Sequence, residues 1–96
     1  MLMLLAVTQL SYGQASSIIR GTVVDENGEP IIGAQLHEVD KNNRVYSNTA
    51  TDFNGEFSLA IKNPNNKLKV SYVGFKPQTL SIKPNMHIVM KDASTL

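Results

Sequence analysis

The chain has 96 residues and a mass of 10.5 kDa, which allows one small domain. At 42% hydrophobic, 18% charged and a net charge of +1, it is too apolar for a disordered chain. It is also too evenly charged to be drawn electrostatically to nucleic acid or an anionic membrane. Cysteine is absent, which excludes disulfides, thiol catalysis and thiolate-bound metals.

In chain order, the first feature is an apolar run from Met1 to Val7, extended by Leu10. It is far shorter than the roughly 20 residues of a membrane-spanning helix. Followed by Ser11-Tyr12-Gly13, it reads as an export signal over residues 1–13, cut before Gln14, with residues 14–17 a linker. It departs from the usual pattern in lacking a basic start, because the first Lys or Arg is Arg20.

From Ile18 onward, period-2 alternation recurs between turn signals. Ile19-x-Gly21-x-Val23 predicts a first strand, and Ile32-x-Ala34-x-Leu36 a second. Arg44 to Thr51 predicts a third, polar strand suited to a sheet edge, with Val45 and Tyr46 its large apolar groups. Phe57-x-Leu59-x-Ile61, Leu68-x-Val70-x-Tyr72, Leu80-x-Ile82 and Ile88-x-Met90 predict four more. Alternation assigns these apolar residues to one face, and Lys69, Ser71, Thr79 and Ser81 to the other. Seven short strands, each with one apolar face, predict an all-β, antiparallel sandwich of two sheets over residues 18–92, with 93–96 a tail.

The turns support this reading. Asn27-Gly28 and Asn54-Gly55 signal type I′ hairpins, because Asn and Gly accept positive φ. Asn42-Asn43, Asn63-Pro64-Asn65-Asn66 and Lys83-Pro84-Asn85 mark three further reversals. The first two turns share the pattern D-x-N-G-E, at Asp25–Glu29 and Asp52–Glu56, but their flanks differ, so they are two similar turns and not a repeat. An EF-type calcium loop needs Gly at its sixth position, whereas Gly stands here at the fourth. A looser calcium site built on Asp25, Asp52 and loop carbonyls is the one metal candidate.

Signals for chemistry are sparse. His37 and His87 are the only histidines, each in a predicted strand and read as solvent-facing. No H-E-x-x-H, G-x-S-x-G or phosphate-loop pattern occurs, so no catalytic residue and no cofactor is assigned. Basic residues are biased to the C-terminal part, with six lysines against Asp92 beyond residue 60. They are spaced singly along apolar alternation (Lys67-Leu68-Lys69-Val70), as solvent-facing strand positions are, so no nucleic-acid partner is expected. Phe53 and Tyr46 are the only candidate platforms for carbohydrate.

Gly21-Thr-Val-Val-Asp25, Gly28-Glu-Pro30, Gly33-Ala34, Thr51-Asp52-Phe-Asn-Gly55-Glu-Phe57 and Ser71-Tyr-Val-Gly74-Phe75 resemble, in order and spacing, the carboxypeptidase-regulatory-like domain. The resemblance spans about residues 17–92 and implies a seven-stranded, transthyretin-like sandwich. The roles it implies are structural. Gly28 and Gly55 serve turns, and Pro30 begins a strand without donating a ladder hydrogen bond. Gly21, Gly33 and Ala34 are small where neighbours press close, and Gly74 bends the chain so that Phe75 turns inward. Two departures stand out. A longer polar hairpin follows Leu36 (His37-Glu-Val-Asp-Lys-Asn-Asn43), and the residues after Met90 do not continue into an acidic, valine-rich TonB box.

The bacterial form of this domain is similar to the N-terminal extension of SusC/RagA-type TonB-dependent outer-membrane receptors. That similarity implies a non-catalytic domain on the periplasmic side of the outer membrane, not itself inserted in the bilayer. Its partners would be the receptor's own plug and TonB box and the TonB-side periplasmic proteins, and this chain would be a fragment of such a receptor. The alternative is an exported stand-alone binding module or adhesin subunit, with carbohydrate as ligand. Transthyretin-like folds also include a purine-pathway hydrolase with a Tyr-Arg-Gly-Ser C-terminus. This chain ends Asp-Ala-Ser-Thr-Leu, which removes that reading.

Overall fold

A computed structural model describes residues 17–94. The expected export signal, and the linker up to residue 16, lie outside the described residues. Seven strands follow: β1 Ser17–Val24, β2 Gln35–Val39, β3 Val45–Ala50, β4 Glu56–Ile61, β5 Lys67–Ser71, β6 Gln78–Ser81 and β7 Asn85–Val89. They form a three-stranded sheet in the order β4-β1-β7 and a four-stranded sheet in the order β3-β2-β5-β6. The polar strand β3 is an edge.

Alternation builds the core directly. In β4, Phe57, Leu59 and Ile61 are buried while Glu56, Ser58 and Ala60 are exposed. In β5, Leu68 and Val70 are buried while Lys67 and Lys69 are exposed. Joined by Ile19, Val23, Leu36, Ile88 and Met90, they form one hydrophobic cluster, mainly aliphatic, between the sheets. Each such side chain contributes about 1.5–3 kcal/mol on burial.

Three expectations are corrected. Not every strand pair is antiparallel, because β1 pairs with β4 antiparallel but with β7 in parallel. The chain reaches β7 from β6 in the other sheet, so β7 comes to lie beside β1 running the same way. Second, Ile32 does not face the core: Ile31 is buried and Ile32 is 49% exposed. Gly33, at φ +82°, breaks the alternation, so β2 begins only at Gln35 and the inward residues run Ile31, Ala34, Leu36. Third, Tyr72 lies beyond β5 and is 37% exposed, its ring tilted against Phe75 at a centroid distance of 6.1 Å.

Odd-numbered strands all run toward one end of the sandwich. That end carries the β1–β2, β3–β4 and β5–β6 loops and the chain leaving β7, and is called here the exit pole. The connections agree: Gly33 N–H donates to Thr51 O (3.0 Å), Lys76 N–H to Lys91 O (2.8 Å) and Ala93 N–H to Gly74 O (2.9 Å). The opposite pole carries the β2–β3, β4–β5 and β6–β7 loops.

Candidate functional site

The two D-x-N-G-E segments are turns of identical construction, and they are not type I′. Asp25 Oδ1 accepts the backbone N–H of Asn27 (2.9 Å) and Glu29 (3.0 Å), and Asp52 Oδ1 accepts those of Asn54 and Glu56 (both 2.9 Å). Only the glycine of each turn takes positive φ, +85° at Gly28 and +73° at Gly55, whereas type I′ needs two such residues in succession. A third copy escaped the sequence pattern. Asp40 Oδ1 accepts the N–H of Asn42 (2.8 Å) and Arg44 (3.0 Å), with Asn43 at φ +64° in the glycine position. Its signal was D-x-N-N-R, with Asn replacing Gly as the left-handed residue. The Arg44 N–H, helped by the Asn42 N–H and the Tyr46 hydroxyl, holds the Asp40 carboxyl below the usual carboxylate range against the opposing effect of desolvation.

In all three turns the carboxylate oxygen that accepts these bonds is directed at its own backbone. Among the described residues no three His, Asp or Glu side chains converge as metal ligands. Asp25 and Asp52 each hydrogen-bond the backbone of their own turn, in separate loops.

The sequence pattern also missed Glu38, fully buried in β2 (0% exposed) in phase with Ala34 and Leu36. Its carboxylate receives Ser47 Oγ (2.8 Å), the backbone N–H of Lys62 (2.9 Å) and Asn63 (2.8 Å), and Asn66 Nδ2 (2.8 Å). Burial pushes its pKa up. The hydrogen bonds, from Lys62 N–H foremost, outweigh that and hold it below the ordinary value. This explains why β3 is polar: Ser47 faces inward to serve Glu38, and the buried Thr51 hydroxyl, just past β3, donates to Ile31 O and accepts Ala34 N–H (2.8 Å). These groups lock the frame and leave no reactive atom exposed.

The remaining motif residues are structural in the same sense. A Cβ at Gly21 would overlap the Met86 carbonyl and the Phe57 ring, so glycine lets β7 and Phe57 close on β1. A Cβ at Gly55 would lie 2.7 Å from Val23 O and 2.9 Å from Pro30 Cβ. Pro30 forms an isolated bridge with Val24, and Gly74 at φ +88° precedes Phe75, which packs on the core.

The histidines lie on separate sheets, His37 in β2 and His87 in β7. His87 Nδ1 shares a 2.8 Å hydrogen bond with Thr22 Oγ1, beside an open depression of about 470 Å³ lined by Arg20, Glu56 and Asn85. A hydroxyl beside an imidazole suggests an acyl-transfer pair. However, β1 is hydrogen-bonded to strands on both sides, so its N–H groups are held in the sheet instead of forming an oxyanion hole.

Exposed apolar groups occur at both poles, Ile18, Val45 and Tyr46 at the opposite one, and the two most exposed stand at the exit pole. Val73 is 86% exposed, Phe53 82% and Ile32 49%. Their order across the pole follows the four-stranded sheet: Phe53 after β3, Ile32 before β2, Tyr72 and Val73 after β5.

Comparison with known proteins agrees with this fold. Residues 18–95 match the family model of the carboxypeptidase regulatory-like domain. The TonB-dependent receptor SusC of Bacteroides thetaiotaomicron is 38% identical over 74 residues, which are 77% of this chain and 7% of that receptor. The 3-chlorocatechol 1,2-dioxygenase of Rhodococcus opacus 1CP superposes with a TM-score of 0.57 at 14% identity, over 79% of this chain and 59% of the other, a likeness of fold alone. The family match covers the whole sandwich together with the turns and glycines that shape it, and the chain belongs to the carboxypeptidase regulatory-like domain family.

Proposed function

We propose that this sandwich is a non-catalytic accessory domain on the periplasmic side of a TonB-dependent outer-membrane receptor that imports glycans or peptides. The observation that carries the reading is the 38% identity to a TonB-dependent receptor across 77% of the chain. The site chemistry is compatible with it: the polar side chains that are buried serve the frame, and the exit pole exposes an apolar row with a charged rim. Among the described residues no helix is long and apolar enough to cross a membrane. In this role the domain works through contact with other protein. Its partners are the plug and TonB box of its own receptor and the TonB-side proteins of the periplasm.

Reading the coding sequence in frame past Leu96 tests the proposal. A plug and barrel supports it. A stop codon in the mature transcript, with no such domains, overturns it in favour of an exported stand-alone module.

A further inference from the structure

We infer that the exit pole is a docking surface for the folded domain that follows it in the receptor, through the apolar row Phe53, Ile32, Tyr72 and Val73. This inference rests on the receptor reading above.

The row is continuous with the path of the chain out of the sandwich. Residues 90–93 run antiparallel beside 74–76, through the Phe75–Asp92 bridge, the Lys76 N–H to Lys91 O bond and the Ala93 N–H to Gly74 O bond. Val73, next to Gly74, is thus adjacent to the departing segment and 86% exposed. The row is also tied together from below. Gly33 N–H bonds Thr51 O, two residues before Phe53, and the Tyr72 ring lies 3.8 Å from the Cβ position of Gly33. The matched segment of the SusC relative is 7% of that receptor, so in such a protein a large partner is covalently attached. Attachment at this pole holds the following domain at high effective concentration, and a modest apolar contact then suffices.

Charge argues for that occupant over two others. At the same pole Asp25, Glu26, Glu29, Asp52 and Asp92 stand against Lys76 and Lys91, with Lys91 Nζ 3.5 Å from Glu26 Oε2, so the rim is acidic on balance. Such a rim repels an anionic lipid surface, and in a symmetric dimer it would face itself. The surface it suits is an apolar patch bordered by lysine or arginine.

Amide hydrogen exchange of residues 72–75, compared between the full receptor and the isolated 96-residue chain, tests the inference. Exchange in the receptor should be slower by about tenfold or more. Val73→Asp together with Phe53→Asp should abolish the difference, and Lys69→Glu, on the outer face of β5, should preserve it. Equal exchange in the two contexts overturns the inference, as does equal loss with Lys69→Glu. So does sedimentation of the isolated chain as a dimer that Val73→Asp dissociates. The receptor reading fails separately, when a receptor without the domain imports normally; protection of residues 72–75 is measured whatever the uptake.

Discussion

At the residue scale, the two glycines of the D-x-N-G-E turns have the same backbone conformation but different surroundings. Gly28 has open space where a Cβ would be, whereas Gly55 faces Val23 O and Pro30 Cβ. Alanine at 28 should therefore cost only the left-handed backbone term, about 1–2 kcal/mol. Alanine at 55 should add a packing displacement of about 1–3 kcal/mol, and urea melts of the two variants measure the difference. Equal melts would place the Gly55 neighbours wrongly. The positions of these turns were legible in the sequence, because Asn-Gly between alternating runs has few other uses. Their type was not. An aspartate that hydrogen-bonds the backbone two and four residues on lets one left-handed residue suffice where Asn-Gly suggests two. Once that is seen, Asn43 can replace glycine, and the third turn becomes readable.

Among the elements, β2 shows where alternation succeeds and where it misleads. The inward phase of Ala34 and Leu36 was legible, and extending it by one more step reaches Glu38, a residue type that reads as solvent-exposed. What makes its burial tolerable lies far away in sequence: the N–H groups of Lys62 and Asn63 at the start of the β4–β5 loop. Glu38 thereby ties the four-stranded sheet to a loop leaving the three-stranded one. Glu38→Ala should cost about 2–6 kcal/mol in a denaturant melt, since two backbone donors lose their acceptor at about 1–3 kcal/mol each. The pH dependence has a definite sign. The folded-state pKa of Glu38 is held below its ordinary 4.5, so its contribution is present above 4.5 and is lost as pH falls through the lower folded value. Melting temperature should therefore drop as pH falls below 4.5, and Glu38→Gln should flatten that drop. An unchanged slope in the variant would remove Glu38 from the account. The parallel β1–β7 pair was not legible either, because strand order across two sheets depends on contacts that period-2 patterns do not encode.

For the whole molecule, buried polar groups lock the frame, and the proposed role gives the exposed apolar groups at the exit pole to contact with other protein. Calcium should play no part: adding it, or removing it with EDTA, should leave the melting temperature within about one degree. A calcium-dependent rise of several degrees would restore Asp25 and Asp52 as ligands. The isolated domain should likewise show no calorimetric binding to polysaccharides, because Tyr46 is turned to its own hairpin through Asp40 and Phe53 belongs to the apolar row of the exit pole. Micromolar binding would favour the stand-alone module. The central claim is that the domain serves receptor uptake and not substrate capture, and deletion of residues 17–92 from the full-length receptor tests it most directly. The account predicts that substrate still binds at the extracellular face while energised uptake is lost; uptake at the parental rate would contradict it.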